Sequence, residues 1–272
     1  MLKDSLKECL NQGGAAMGMW LNDVYMVDLA AHMGFDWFMV DQMFTPTDWD
    51  HADRLLRAGE AAGITPVLRL QSNPWLGYNS LLARDLTRAR GIGYQYIMVS
   101  NSGKREMEEC AQVARDWHRK ALWVHPFSSM DEWPRVTADL VRDTHVIPQP
   151  ESAGGLAELE DTLDIEGIDF AFLAMTDASK VLRGDSDVPD FYNPELWGLL
   201  DRAVAKADAA GKVIGANISY AYEMEELHRR TVRLVEHGVR MIMLQGSGFL
   251  FQVAVGSFMN NLRDEVTAKL AG

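Results

Sequence analysis

The sequence predicts an α/β fold, a single (β/α)₈ TIM barrel over residues 1–272, because short β-rich runs alternate with longer amphipathic stretches from one end to the other. The runs are nearly continuous in apolar residues, as strands of a parallel sheet covered by helices must be. The length, 272 residues, suits one such barrel, and no linker-like or low-complexity segment divides the chain.

The strand-like runs are AMGMW (16–20), DWFMVD (36–41), TPVLRL (65–70), YIMVS (96–100), ALWVHP (121–126), HVIPQP (145–150), FAFLAM (170–175), VIGANI (213–218) and MIMLQG (241–246). These are nine runs, and a barrel needs eight. ALWVHP precedes the long polar stretch FSSMDEWPRVTADLVRD, so it is read as an excursion outside the barrel. Helical patterns such as HADRLLRAGEAAG, LWGLLDRAVAKADAAG and MEELHRRTVRLVEHG lie between the runs and end in glycine, as helix C-termini often do. A doubly wound open sheet is the rival fold, but no G-x-G-x-x-G follows an early strand. RGDSDVPDFYNPE (183–195) reads as a loop placed where a barrel carries its active site. The last segment begins with the apolar LFQVAVGSFM (250–259) and reads as a terminal helix that caps the barrel or docks on a neighbouring subunit.

A formal net charge of −13 excludes general attraction to nucleic acid or to an anionic membrane. It does not exclude a small anionic substrate, since a local site can be positive on a negative protein. The two cysteines, Cys9 and Cys110, form no Cys/His cluster, which argues against a thiolate zinc site and suits a reducing compartment. The N-terminus MLKDSLKECLNQGG alternates charged with apolar residues, and no apolar run approaches a membrane span, so a cytoplasmic protein is expected.

In a barrel of this kind, functional side chains stand at the C-terminal ends of strands or just beyond them. The polar residues at those positions are Asp41, Gln42, Arg69, Ser100, Asn101, Gln149, Glu151, Thr176, Asp177, Asn217 and Gln245. Glu151 and Asp177 are separated by one strand-plus-helix unit, which puts them at the tops of adjacent strands. Two carboxylates with the remaining positions filled by water and substrate oxygens suit Mg²⁺, Mn²⁺ or Co²⁺. The alternative is that both cap the helices that follow them. Arg69 ends an apolar strand, where its bidentate geometry suits a substrate carboxylate or, alternatively, a salt bridge to Asp41 on the neighbouring strand.

Several of these segments in order resemble the HpcH/HpaI aldolases, the metal-dependent class II pyruvate aldolases, over most of residues 17–250. GMW (18–20) is similar to that family's opening strand and LAAHMGFDWFMVD (29–41) to its second helix-to-strand passage. PVLR (66–69) is similar to the strand carrying the carboxylate-binding arginine, and QPE (149–151) to the Q-x-E whose glutamate binds the metal. LDIEGIDFAFL (163–173) followed by MTDAS (175–179) is similar to the passage into the metal-binding aspartate. The resemblance implies a divalent ion on Glu151 and Asp177, and a small 2-oxo acid held by Arg69 with Gln149 and Thr176. It implies a carbon–carbon lyase or condensing enzyme acting through a metal-bound enolate, with Arg69 as the catalytic side chain. It also implies a homo-oligomer, a trimer or hexamer, that exchanges the region of residues 250–259.

The chain also departs from the family's pattern. The family's proton-shuttling dyad is a histidine after the second strand and an aspartate before the fourth; the first turn here reads DQMFTPTD (41–48), with Met43 and Phe44 in place of Glu-His, and the aspartate aligns with Gly91. Ala174, Met175 and Thr176 replace a G-P-A, Ser100 replaces a proline, and WVHPFSSMDEWPR (123–135) replaces a Y-P-P-x-G-x-R-G segment. The 2-oxo acid end of the site is therefore retained and the acid–base end rebuilt. Residues able to move a proton instead are His125, His145, Tyr78, Tyr220 and Tyr222, each of which also reads as a packing residue. The alternatives to an aldolase are an oxaloacetate-type decarboxylase, which needs no base for a hydroxyl proton, and a non-catalytic 2-oxo-acid-binding paralogue.

Overall fold

Strand periodicity explains the architecture. In a strand every second side chain shares a face, and Trp37, Met39 and Asp41 fall in one phase while Phe38 and Val40 fall in the other. The computed structural model describes residues 4–71, 80–116, 144–184 and 187–271. In it the first phase points into a ring of eight parallel strands and the second packs beneath the helices outside.

The strands are β1 (Ala16–Trp20), β2 (Trp37–Asp41), β3 (Thr65–Gln71), β4 (Tyr96–Ser100), β5 (His145–Gln149), β6 (Phe170–Leu173), β7 (Val213–Asn217) and β8 (Met241–Gly246). Their order round the sheet is β5-β4-β3-β2-β1-β8-β7-β6, and β5 packs beside β6 to complete a nearly closed ring. Each strand matches one of the expected runs to within two residues at either end. FAFLAM is cut short because Ala174 leaves the strand and the next helix begins at Met175. ALWVHP and the segment 123–135 lie outside the described residues.

The inward phase fills the barrel with Trp37, Met39, Val67, Tyr96, Met98, Ile147, Phe170, Phe172, Met241 and Met243. Such a mass of aromatic and sulfur side chains fits only because two strands give room. A Cβ on Gly18 would lie 2.1 Å from the Trp37 ring, and one on Gly215 would lie 2.6 Å from Phe172. Below, helix α1 (Ser5–Asn11) plugs the floor: Leu6 is fully buried, Asp4 accepts from the Tyr96 hydroxyl at 2.7 Å, and Leu6 N–H donates to Thr65 Oγ1 at 3.1 Å.

The outer ring comprises α2 (Val24–His32), α3 (Trp49–Ala62), α4 (Ser80–Ile92), α5 (Lys104–Asp116), the short α6 (Ala153–Ala157) and α7 (Leu159–Thr162), α8 (Met175–Leu182), α9 (Pro194–Ala209), α10 (Met224–Glu236) and the terminal α11 (Ser247–Ala271). The 183–195 segment is largely loop, but α8 intervenes between it and β6, and Pro194 already opens α9. Helix α11 leaves Phe251, Phe258, Met259, Leu262 and Val266 exposed. None of the helices among the described residues is long and apolar enough to cross a membrane.

Gly18→Ala should destabilise the fold by about 1–3 kcal/mol, because the added methyl overpacks a filled interior against an indole that cannot withdraw. Urea denaturation measures it; an unchanged midpoint would contradict this packing.

Candidate active site

The inward phase turns polar at the C-terminal ends of the strands, and β2 and β3 meet there first. Asp41 and Arg69 are register partners, so their side chains leave the sheet on the same side. Arg69 Nε and Nη2 donate to the two Asp41 carboxylate oxygens at 2.8 Å each. The salt bridge weighed from the sequence therefore exists, and it does not withdraw Arg69 from the site. Arg69 still lines the cavity at the barrel mouth, with its guanidinium carbon 5.1 Å from the Phe44 ring centre and 5.5 Å from that of Trp20. Asp41 also accepts from the N–H groups of Met43 (2.8 Å) and Phe44 (3.1 Å), which bends the chain after β2 and lays Phe44 over the arginine.

Next round the ring, β4 and β5 bring Ser100 beside Gln149. Ser100 Oγ donates to Gln149 Oε1 at 3.2 Å, and Gln149 N–H donates to Ser102 Oγ at 3.2 Å. Gln149, expected to bind substrate, is buried in these contacts and is not among the cavity-lining side chains.

Neither metal-candidate carboxylate is spent on a helix cap. The cap of α6 is Ser152, whose side chain accepts from Gly155 N–H, and α8 starts at Ala174 with no side-chain cap, leaving Asp177 in its first turn. Glu151 instead accepts from the backbone N–H of Asn101. Asn101 has φ +51°, a left-handed conformation that asparagine tolerates better than most residues. Burial, then the negative charge of Asp177, push the Glu151 carboxyl up to about 7 from its ordinary 4.5, against the smaller opposing pull of Arg69. That coupling places Glu151, Asp177 and Arg69 in one electrostatic neighbourhood.

The cavity has a volume of about 410 Å³. Trp20, Phe44, Met243 and Leu244 give it an apolar wall; Thr176, Asn217, Ser219, Tyr220 and Gln245 give it a polar one. Thr176 Oγ1 donates to Ser219 Oγ at 3.1 Å, and the Gln245 amide donates to the Ser219 carbonyl. Two cavity residues keep a buried polar atom without a partner among the described residues, Trp20 Nε1 and Asn217 Oδ1, as a site for a polar ligand would. Sequence reasoning overlooked Trp20, Ser219 and Lys180, all of which line the cavity.

The proposed proton carriers divide by position. Tyr220 lines the cavity, 5.8 Å from the Phe249 ring, and Tyr222 packs on the same ring at 5.2 Å. His145 starts β5 at the opposite end of the barrel, stacked on Tyr96 and paired with Asp169 at 3.1 Å. His125 and Tyr78 lie outside the described residues. Gly91 is in the last turn of α4, two residues before Gly93 at the floor of the barrel, because a helix returns the chain to the start of the next strand. Within one chain it therefore lies at the far end of the barrel from Phe44.

No protein-family model matches the chain. It is 27% identical over 229 residues to the 2-keto-3-deoxy-L-rhamnonate aldolase of Shigella boydii, with 79% of each chain covered. Its fold superposes on the HpcH/HpaI aldolase of Desulfitobacterium hafniense with a TM-score of 0.78 at 18% identity, covering 95% of this chain and 96% of that one. The chain is thus similar in sequence to curated aldolases and in fold to the HpcH/HpaI aldolases. It stands among enzymes of the aldolase and lyase class. An HpcH/HpaI aldolase/citrate lyase family protein from Burkholderia cenocepacia shares the fold as well, with a TM-score of 0.76, 22% identity and coverage of 96% and 99%.

The residues present fit the divalent ion that the likeness to the HpcH/HpaI aldolases implies. Among the described residues no group of three or more His, Cys, Asp and Glu could hold a metal, so from these residues Glu151 and Asp177 would be the acidic ligands and neutral oxygens would complete the site. Hard oxygen donors of this kind suit Mg²⁺, Mn²⁺ or Co²⁺. The raised Glu151 carboxyl is what an ion would correct: two carboxylates share a partly buried neighbourhood without enough positive charge.

The metal-free protein should therefore be pH-sensitive through Glu151. Its folded carboxyl titrates above the unfolded one, so the contribution is intact below pH 4.5 and is lost as pH rises through about 7. Glu151→Gln should be more stable than the wild type at pH 8, on the order of 1–3 kcal/mol, and equal to it near pH 4. Chemical denaturation at the two pH values in chelator measures the difference, and an equal difference at both would contradict the assignment.

Proposed function

We propose that the protein is a divalent-metal-dependent carbon–carbon lyase or condensing enzyme acting on pyruvate or a related 2-oxo acid. The observation that carries the reading is the meeting of Glu151 and Asp177, uncapped and coupled, with Arg69 at the C-terminal mouth of the barrel. Homologues named as aldolases support the reaction class.

Arg69 would hold the substrate carboxylate. Two of its donors are pinned by Asp41, which fixes the guanidinium plane, while the rest of the group faces the cavity. Glu151 and Asp177 would hold a divalent ion, which when bound would supply Lewis-acid stabilisation of negative charge on the substrate. Thr176 presents a hydroxyl to the same cavity, and Trp20 with Phe44 excludes water from the arginine side. Phe44, 67% exposed, offers no proton where the family uses histidine. This observation favours the second reading, an oxaloacetate-type decarboxylation, over aldol cleavage. We further read the protein as a cytoplasmic homo-oligomer: its cysteines are unpaired, and the exposed phenylalanines of α11 suit burial against another subunit.

Glu151→Gln and Asp177→Asn should each abolish metal-dependent turnover and weaken Mn²⁺ binding by at least tenfold in calorimetry. Unchanged Mn²⁺ affinity in both variants would remove the ion from this site.

On one metal-loaded preparation, decarboxylation of oxaloacetate should outpace cleavage of 4-hydroxy-2-oxo acids, because lost acid–base assistance is worth about 10²–10⁴-fold. Phe44→His should narrow the gap. Fast aldol cleavage by the wild type would show that another side chain moves the proton, with Tyr220 the first to test.

A further inference from the structure

We propose that a groove on the outer wall of the barrel binds an oxyanion carried on an aromatic body through Arg233, and that Tyr192 transmits its occupation to the mouth. The oxyanion is a carboxylate or a phosphate ester, since both match the planar donors of a guanidinium.

The groove has a volume of about 380 Å³, lies between α10 and the loop that precedes α9, and shares no lining residue with the cavity at the mouth. Its two arginines are not equivalent. Arg229 is committed, donating to Glu226 at 2.6 Å and to Glu225 at 3.1 Å. Arg233 has no ion pair among the described residues, although Glu236 lies one turn on, and its buried Nε lacks a hydrogen-bond partner. Two rings hold it instead: its guanidinium carbon is 4.5 Å from the Trp197 ring centre and 5.5 Å from that of Tyr192. Stacking occupies the faces of a guanidinium and leaves the N–H donors in its plane for an oxyanion. Beside it, Tyr192 (41% exposed) and Val232 (40% exposed) offer the apolar surface on which an aromatic body would rest.

The plain alternative is a solvated helix face laced with i,i+3 and i,i+4 ion pairs. Arg229 and Arg230 fit that description, but Arg233 does not. It is half-buried and stacked, with a positive charge that no neighbouring carboxylate has taken. A bound anion would complete it.

Tyr192 also belongs to a second set of contacts. Its hydroxyl donates to Glu226 at 2.8 Å, Glu226 accepts from Arg230 Nε at 2.7 Å, and Arg230 Nη1 donates to the Tyr220 carbonyl at 2.9 Å and the Ile218 carbonyl at 3.3 Å. Those carbonyls flank Ser219, which has φ +57°, and Ser219 and Tyr220 line the cavity at the mouth. A left-handed serine is costly and persists only where its surroundings hold it. A ligand that fixes Tyr192 therefore tightens the hold on that turn.

The probes are phenyl phosphate, benzoate and the neutral benzyl alcohol, titrated by calorimetry into the wild type, Arg233→Met, Arg233→Lys and Tyr192→Phe. The wild type should bind at least one anion about tenfold or more tightly than benzyl alcohol, as a charge-assisted contact provides, and the tighter of the two names the source. Arg233→Met, which keeps the packing on Trp197, should lose that preference, and Arg233→Lys should keep part of it. Amide hydrogen exchange across residues 218–221 should slow about threefold or more when the preferred anion binds the wild type. Tyr192→Phe keeps the ring and loses the hydroxyl, so it should bind the anion without slowing exchange. No preference in the wild type, or one that survives in Arg233→Met, would overturn the site. Unchanged exchange in the wild type, or slowing that persists in Tyr192→Phe, would overturn the link to the mouth. Every one of these readouts is independent of the chemistry proposed there.

Discussion

The buried pair of Asp41 and Arg69 is the interaction on which the mouth of the barrel depends. The Asp41 carboxylate is fully buried and accepts four hydrogen bonds, two from the guanidinium and two from the backbone of the turn that follows β2. A buried charge pair gains little over an apolar pair of the same volume, but leaving one partner alone costs about 3–5 kcal/mol. The pair is therefore better understood as a positional device than as a source of stability. It sets the plane of Arg69, and the same oxygens bring Phe44 against that plane at 5.1 Å. The register makes this possible, since parallel pairing places positions 41 and 69 side by side.

The opposite side of the mouth is electrostatically unfinished. Glu151 and Asp177 lie close enough for one to raise the other's titration; the cation acting on Glu151, Arg69, is already shared with Asp41, and Lys180 reaches Asp177 only at 3.9 Å. A protein gains nothing in stability from such an arrangement, because burial penalises an ionised carboxyl that lacks a partner. Its placement at the C-terminal end of the barrel is a physical reason to expect a cation there, independent of homology.

Most of this was legible in the sequence where the physics is periodic or local. Period-two alternation with near-continuous apolar character is a strong signal, and eight runs became eight strands with shifts of at most two residues. Of the polar ends of those runs, Arg69, Thr176, Asp177, Asn217 and Gln245 line the cavity, while Glu151 and Gln149 do not. What escaped notice depends on three-dimensional direction. Capping looked plausible for Glu151 until Ser152, one residue later, proved to be the cap. Gly91 falls in the last turn of α4, a placement within the chain that sequence order does not reveal. Lys180 lies one residue past the motif MTDAS, on a helix rather than a strand end, so a search of strand termini could not find it.

The two cations of the cavity differ in a way that bears on how such a site can change its substrate. Arg69 is locked by a buried carboxylate, and replacing it would strand Asp41, so evolution at that end is costly. Lys180 is tied to nothing stronger than a 3.9 Å contact on a partly exposed helix, so its replacement would leave the fold intact. The rigid end suits the feature that every 2-oxo acid shares, the carboxylate beside the keto group. The other end carries no such constraint, so the side chain at position 180 can vary while the centre on the strand ends stays fixed.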